Sequence, residues 1–382
     1  MKRRNSFRYL AVLAGTPIIS GINLTGCKGN YKDRLPDMHI YWQNQKTRRP
    51  FAPAIDQNSI MWHGREHFFR TDLKNNVSTK IDNQFMEGKP LSSVFCHGDK
   101  VYIVSQKSPY MFLYSQKTGQ FRKLYLPDME GNIWFGVKVP NTPDLYLYAR
   151  NRGKLIHWDC DLDKGGEIPF PDDLDLWSGF YVKEDAAIYS FTLDAKPARL
   201  VRFDLKSVIF DTVIDAPEPE LEITGVNPIG NTLYCSDRFT GRIFPYNWED
   251  RIWEKHIAIP GLGTDFGFVG IGCVYQGLAL YSLSTFAGQM KWDFNNNKYL
   301  SGKDDSLGID GKKHHFLNKY LVFDPKTIFF SYLEAREEGR YPLLCYSLVH
   351  DDKLIITGFD CWNSTDQFAD METEGELMLF RN

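Results

Sequence analysis

Short apolar runs bounded by turn residues succeed one another from about residue 39 to the end of the chain, and no long stretch keeps the 3.6-residue period of an amphipathic helix. The runs recur. An apolar residue followed by a large one appears as Ile60-Met61, Val101-Tyr102, Leu145-Tyr146, Ile188-Tyr189, Leu233-Tyr234, Leu280-Tyr281 and Ile328-Phe329, with the second members 41 to 48 residues apart. Turn residues such as Gly98-Asp99 and Gly230-Asn231 stand just before, where a tight turn leads into a strand. A second mark is a strand ending in a short polar residue: Asp72, Ser115, Asp161, Asp204, Asn247, Asp293 and, less regularly, Ser347. The first six are 43 to 46 residues apart. Their side chains can bond the backbone of the turn that follows and so close a hairpin.

Each unit therefore reads as four short strands. In the second unit these are Ser92–His97, Lys100–Ser105, Pro109–Ser115 and Gln120–Leu126. One such sheet buries little by itself, whereas several packed radially around a channel bury both faces and leave only short edges. Two marks with a shared period of blade length predict an all-β fold, a seven-bladed β-propeller of four-stranded antiparallel blades, as a single domain over residues 39–382. An eight-bladed ring or another repeat β fold is the alternative. Sandwich strands would not keep two marks in phase over about 270 residues. Turns such as Tyr114-Ser115-Gln116-Lys117-Thr118-Gly119 resemble the third hairpin of pyrroloquinoline-quinone-like and related propeller repeats, a resemblance that concerns the fold only.

The ends are less regular. Residues 301–318 are polar and read as an insertion between blades six and seven, and residues 361–376 as another polar loop. Ring closure is expected to pair Glu376–Phe380 with a strand near His39–Gln43. Ile355-Ile356 lies only 27 residues past Phe329, too close for another full unit.

The N-terminus has a different character. Lys2, Arg3, Arg4 and Arg8 precede an apolar stretch from Tyr9 to Ile22, and Leu24-Thr25-Gly26-Cys27 follows, the order of an export signal. Leu24, Thr25, Gly26 and Cys27 resemble the lipobox of bacterial lipoproteins. That resemblance implies a signal peptide over residues 1–26, acylation at Cys27 and a tether over residues 27–38. It also implies attachment to the membrane through acyl chains, of which two or three anchor firmly. Lys28 rather than Asp follows the Cys, which implies the outer membrane, facing the periplasm, in a Gram-negative host. Arg3-Arg4 only partly matches a twin-arginine signal, because Phe7 stands three places after the second Arg rather than two.

Composition sharpens this picture. Apolar residues make up 43% of the 382, enough for a large core, and aromatics, at 15%, favour strands. Removing residues 1–26 takes away four basic residues and no acidic one, so a net charge of −3 becomes −7. An acidic body argues against nucleic acid as a partner. Besides Cys27, the cysteines Cys96, Cys160, Cys235, Cys273, Cys345 and Cys361 show neither a zinc spacing nor a disulfide framework, and buried thiols are expected.

Candidate chemistry is sparse. Asp159, Asp161 and Asp163 alternate as calcium ligands can, but Lys164 stands where the EF-hand loop needs Gly, and Asp161 falls on the hairpin mark. A polar turn is the preferred reading there, and no cofactor is expected. His314-His315, with Asp304, Asp305 and Asp310, lacks ligand spacing and reads as a solvated loop. No G-x-S-x-G elbow is present. The sialidase Asp boxes, the double glycines of kelch and a Gly-His/Trp-Asp pair in each unit are also absent. In loops expected on the ligand-facing side, Arg150, Arg152, Asp237 and Arg238 form a candidate rim suited to carboxylates or phosphates. The expectation is a monomeric, membrane-anchored envelope module that binds or scaffolds a protein, glycan or small ligand. The alternative is an envelope hydrolase or lyase acting at the mouth of the central channel.

Overall fold

The computed structural model describes residues 35–382 except 48–50, 57, 64–66, 82–90, 106–107, 109, 127–132, 151–152, 173, 193–196, 238–240, 260–267, 270–271, 285–289, 294–297, 302–318, 336, 338–341 and 361–374. The chain opens with β1 (His39–Thr47), which belongs to the last blade. Blade one follows as β2 (Phe51–Asp56), β3 (Ser59–His63), β4 (Phe68–Asp72) and β5 (Val77–Ile81). Blade two is β6 (Leu91–His97), β7 (Lys100–Ser105), β8 (Tyr110–Ser115) and β9 (Phe121–Tyr125), within a residue or two of the expected strands. Blade three is β10 (Ile133–Lys138), β11 (Asp144–Ala149), β12 (Lys154–Asp159) and β13 (Lys164–Ile168). Blade four is β14 (Leu176–Val182), β15 (Ala187–Thr192), β16 (Arg199–Asp204) and β17 (Ile209–Asp215). Blade five has β18 (Ile223–Ile229), β19 (Thr232–Asp237) and β20 (Arg242–Asn247), with a broken outer strand, β21 (Ile252–Trp253) and β22 (Ile257–Ala258).

Blade six begins with two short inner pieces, β23 (Phe268–Val269) and β24 (Val274–Tyr275), beside β25 (Leu278–Ser284). A separate hairpin, β26 (Met290–Asp293) with β27 (Lys298–Ser301), then interrupts it before β28 (Lys319–Asp324) and β29 (Phe329–Glu334) complete the sheet. Blade seven is β30 (Pro342–His350), β31 (Lys353–Asp360) and β32 (Gly375–Arg381), closed by β1. His39 pairs with Arg381 and Trp42 with Met378, so the N-terminal strand supplies the outer edge of the last sheet, as the closure argument required.

The late marks are corrected by this arrangement. The insertion lies inside blade six, between its second and third strands, not between blades six and seven. Ile328-Phe329 therefore opens the fourth strand of blade six, and Ile355-Ile356, set aside as too close, is the second strand of blade seven. Asp293 ends the first strand of the inserted hairpin, and Ser347 lies in an inner strand. The turn residue of blade six is Asp324, whose carboxylate accepts the Lys326 N–H at 3.1 Å and the Thr327 hydroxyl at 3.0 Å. In blade three the turn residue is Asp159 rather than Asp161, since Asp159 accepts the N–H groups of Asp161 and Leu162 at 2.9 and 3.0 Å. An insertion hides a period by adding residues without adding a repeat.

The core is seven inter-blade layers. Along each second strand, side chains alternate between the two neighbouring blades, as the period of two dictates. Leu145, Leu147 and Ala149 face the layer shared with blade two, while Tyr146 and Tyr148 face the layer shared with blade four. Inner strands approach one another closely. A Cβ on Gly136 would lie 2.5 Å from the Phe95 ring, and one on Gly179 would lie 2.5 Å from the Phe135 ring. Gly136→Ala is expected to destabilise by roughly 1–3 kcal/mol through overpacking, read by urea denaturation. An unchanged midpoint would show that the Phe95 ring yields freely.

The third hairpins are held by their turn residues. Asp204 accepts the Ser207 N–H at 2.7 Å, the Lys206 N–H at 3.0 Å and the Ser207 hydroxyl at 2.8 Å. The Ser207 bonds, then Arg202 beside it, bring its carboxyl down to about 2. A lowered folded-state pKa adds stability that is complete above the unfolded value near 4 and is lost as pH falls through 2. Asp204→Ala is expected to cost about 1 kcal/mol at pH 7. The gap to the parent should close between pH 4 and pH 2, and a gap independent of pH would mean that the charge plays no part.

Candidate functional site

The strand directions define two faces. Turns joining first to second and third to fourth strands lie on one, the hairpin face. Connections from second to third strands and from blade to blade leave from the other, the loop face. On the loop face the first-to-second-strand pairing slips near the start of the inner strand in six blades, between Phe51/Ala54, Leu91/Ser93, Ile133/Phe135, Leu176/Gly179, Ile223/Gly225 and Leu344/Tyr346. A bulge leaves a residue out of the ladder and re-aims its side chain.

In blades three and four the re-aimed residues include Trp134 and Trp177. Both sit at the beginning of an innermost strand, at the mouth of the channel, and both are half-buried. Their ring centroids are 5.7 Å apart, and the Trp134 indole N–H donates to the Trp177 carbonyl at 2.7 Å. Arg150 follows the end of β11, and its guanidinium lies 5.1 Å from the Trp134 ring. Its Nε donates to Asp175 at 3.0 Å, and the other Asp175 oxygen accepts the Tyr148 hydroxyl at 2.9 Å. The Tyr148 oxygen in turn accepts the Leu176 N–H at 3.2 Å. Burial, and then the Asp175 charge, raise the Tyr148 hydroxyl far above its ordinary value, so it stays a neutral donor. Side-chain exposures of 25% for Arg150 and 41% for Asp175 leave both within reach of solvent. The cluster thus offers indole faces, a fixed cation and a fixed carboxylate on the rigid ends of β10, β11 and β14.

Of the expected rim residues, Arg150 is at this mouth. Asp237 is buried and clamps the preceding connection, accepting the Glu222 N–H at 2.9 Å. Arg152 and Arg238 lie outside the described residues, as do Cys27 and the other lipobox residues. Trp134 and Trp177 were missed by sequence reasoning, although the signal was present: they stand 43 residues apart, at equivalent positions of consecutive repeats.

The candidate calcium residues lie on the hairpin face and do not converge. Asp159 is turned into its own hairpin, Asp161 meets His97 Nε2 at 2.8 Å, and Asp163 crosses to blade two. There Asp163 accepts the Tyr102 hydroxyl at 2.7 Å, Lys100 Nζ at 3.0 Å and Arg122. Burial would raise the Asp163 carboxyl, but Tyr102, Lys100 and Arg122 together bring it below its ordinary value. No group of three or more possible ligands capable of holding a metal occurs among the described residues. Asp163→Asn, which keeps a residue tolerant of φ +51°, is expected to cost roughly 1–3 kcal/mol by removing the charge that Lys100 and Arg122 pair with, while Lys100 and Tyr102 keep their bonds to the Cys160 carbonyl at 2.7 and 2.8 Å. Millimolar calcium should leave the parent's melting temperature unchanged. A rise of several degrees, abolished in the variant, would instead make these carboxylates a calcium site.

The described cysteines Cys96, Cys160, Cys235, Cys273 and Cys345 are all free, and Cys160, Cys235 and Cys345 are buried. Burial pushes the Cys160 thiol up to about 11, which makes it a poor nucleophile.

No family model matches the chain, and no curated protein matches it. Among solved structures, a virginiamycin B lyase from Staphylococcus aureus superposes with a TM-score of 0.61 at 10% identity, over 91% of this chain and 99% of that one. That likeness establishes the class of fold: the chain is a seven-bladed β-propeller.

Proposed function

We propose that this chain is an acyl-anchored envelope lipoprotein whose propeller binds a glycan, such as a cell-wall fragment, at the mouth between blades three and four. The observation that carries the reading is the pairing of bulge-presented Trp134 and Trp177 with the Arg150–Asp175 fork. Indole faces stack on the apolar C–H surface of a sugar ring. A guanidinium beside a carboxylate offers donors and acceptors side by side, which suits adjacent hydroxyls. Placement on strand ends pre-pays the ordering cost that weakens binding by loops. Membrane attachment rests on Leu24-Thr25-Gly26-Cys27 and the basic and apolar segments before it. The lyase or hydrolase alternative needs an acid and a base aimed at one substrate position, and the mouth residues named above supply a paired carboxylate rather than an unengaged one.

Titration with soluble peptidoglycan fragments, followed by tryptophan fluorescence, tests the binding. Trp134→Ala and Arg150→Ala are each expected to weaken it at least tenfold, about 1.4 kcal/mol, with the melting temperature little changed. Equal affinity for parent and variants would overturn the site. Slow turnover of the fragment would turn the reading to catalysis. Replacing Cys27 with Ala is expected to release the chain from membranes, and retention in the pellet would remove the anchoring claim.

A further inference from the structure

The hairpin face carries an unexplained regularity. In six blades the residue four places after the turn residue has a left-handed backbone: Asn76 (φ 54°), Gly119 (φ 70°), Asp163 (φ 51°), Val208 (φ 59°), Arg251 (φ 58°) and Ile328 (φ 52°). Glycine and asparagine take this conformation cheaply, whereas β-branched residues adopt it at a real cost. Val208 and Ile328 are nonetheless β-branched, and these residues are 46% and 54% exposed. Burial therefore offsets little of that strain. Their neighbours repeat the theme. Ile209 and Ile252 begin fourth strands and are 54% and 53% exposed, while Val77 and Leu162, at the equivalent hairpins of blades one and three, are 55% and 67% exposed. Six of the nine large apolar residues exposed among those described thus lie on one set of hairpin tips. Beside them the position two places after the turn residue is an exposed lysine in four blades, Lys74, Lys117, Lys206 and Lys326, and an exposed acid in blades three and five, Asp161 and Glu249. The acids of three of these turns, Asp72, Asp204 and Asp324, are engaged by turn backbone N–H groups.

The position of the N-terminus gives the tips a partner. β1 is an outer strand, and His39 pairs with Arg381 at the end of a third strand, which is the hairpin-face end. The chain therefore enters the propeller from that face. The twelve residues from Cys27 to Met38 reach at most about 40 Å when fully extended.

We infer that the hairpin face rests on the bilayer that holds the chain, with the apolar tips of blades three to six entering the headgroup–acyl boundary and the tip lysines meeting anionic headgroups. Apolar side chains with a lysine beside them, as at the tips of blades four and six, are the pattern that binds such an interface. The inference rests on the proposed acyl anchor. It adds that the propeller lies in a fixed orientation, with the tryptophan mouth turned away from the membrane.

The test uses the full chain purified from membranes and mixed with phosphatidylethanolamine–phosphatidylglycerol vesicles whose acyl chains carry bromine. One reporter is added at a time: Ile252→Trp at a tip, or Tyr125→Trp, whose parent residue is 69% exposed at the loop-face end of β9. Bromine is expected to quench the added emission of Ile252→Trp by at least a third and to leave Tyr125→Trp unaffected. Equal quenching of the two, or none at Ile252→Trp, overturns the orientation. A combined Val208→Asn and Ile328→Asn variant separates membrane contact from folding. It should melt a few degrees higher, because strain is relieved, yet at least halve the bromine quenching of an Ile252→Trp reporter carried in the same chain. Unchanged quenching counts against membrane contact. The anchor is read separately, by the mass of the peptide containing Cys27. If that peptide lacks acyl chains, the anchoring proposal fails, while the quenching pattern still decides whether the tips meet lipid.

Discussion

Every blade depends on its neighbour for burial. A four-stranded sheet has two apolar faces and no means of covering either, and here each of the seven buried clusters draws its residues from two adjacent blades. No blade owns a core, so the ring must close for the first and last blades to be covered on both faces. Closure is made at one seam, where β1 zips onto β32, and Ile40 and Trp42 complete the layer between blades six and seven. Leu377 and Leu379 of β32 face the other way, into the layer shared with blade one. The seam therefore couples the two ends of the chain to two layers at once.

That dependence explains which residues could be read in the sequence. Large apolar residues of second strands face two layers alternately, so their pattern is strong and survives in every blade. The turn Asp, Asn or Ser is equally legible because one short side chain must accept two N–H groups at a fixed offset, as at Asp72, Asp204 and Asn247. Blade two, which has no insertion, was legible strand by strand. Blade six was not. A hairpin inserted between β25 and β28 displaced the third-strand mark, and Trp292-Asp293 imitated it. In blade three the run of alternating acids offered two candidates for one turn, and only geometry separates Asp159, which bonds the turn, from Asp161, which meets His97.

The mouth was half legible. Arg150 stood out because it lies in a loop expected on the ligand-facing side and its guanidinium fork suits carboxylates or phosphates. Trp134 and Trp177 did not, since in a chain with 15% aromatics a tryptophan in a strand is expected to fill the space between blades. Neither composition nor alternation shows that the inner strand slips by a residue near its start, and that slip is what takes these indoles out of the alternating pattern. A bulge is a backbone event with a weak sequence signature. Its consequence here is a pair of half-buried indoles in contact at the loop-face ends of two inner strands, with Trp134 also packed against the layer between blades three and four.

The two faces divide their duties according to backbone freedom. Hairpin-face turns between third and fourth strands are short and repeat one left-handed position in six blades, so a side chain there is held at a similar height on each of the six. Such a surface suits contact with something flat and chemically uniform. Loop-face connections vary in length from blade to blade, and the residues held firmly there are those on strand ends, such as Trp134, Arg150 and Asp175. That surface suits a ligand with particular groups in particular places. The strained Val208 and Ile328 sharpen the contrast, since glycine or asparagine would serve folding better at either position. Their exposed, apolar side chains are what sets the hairpin face apart as the proposed membrane-facing side.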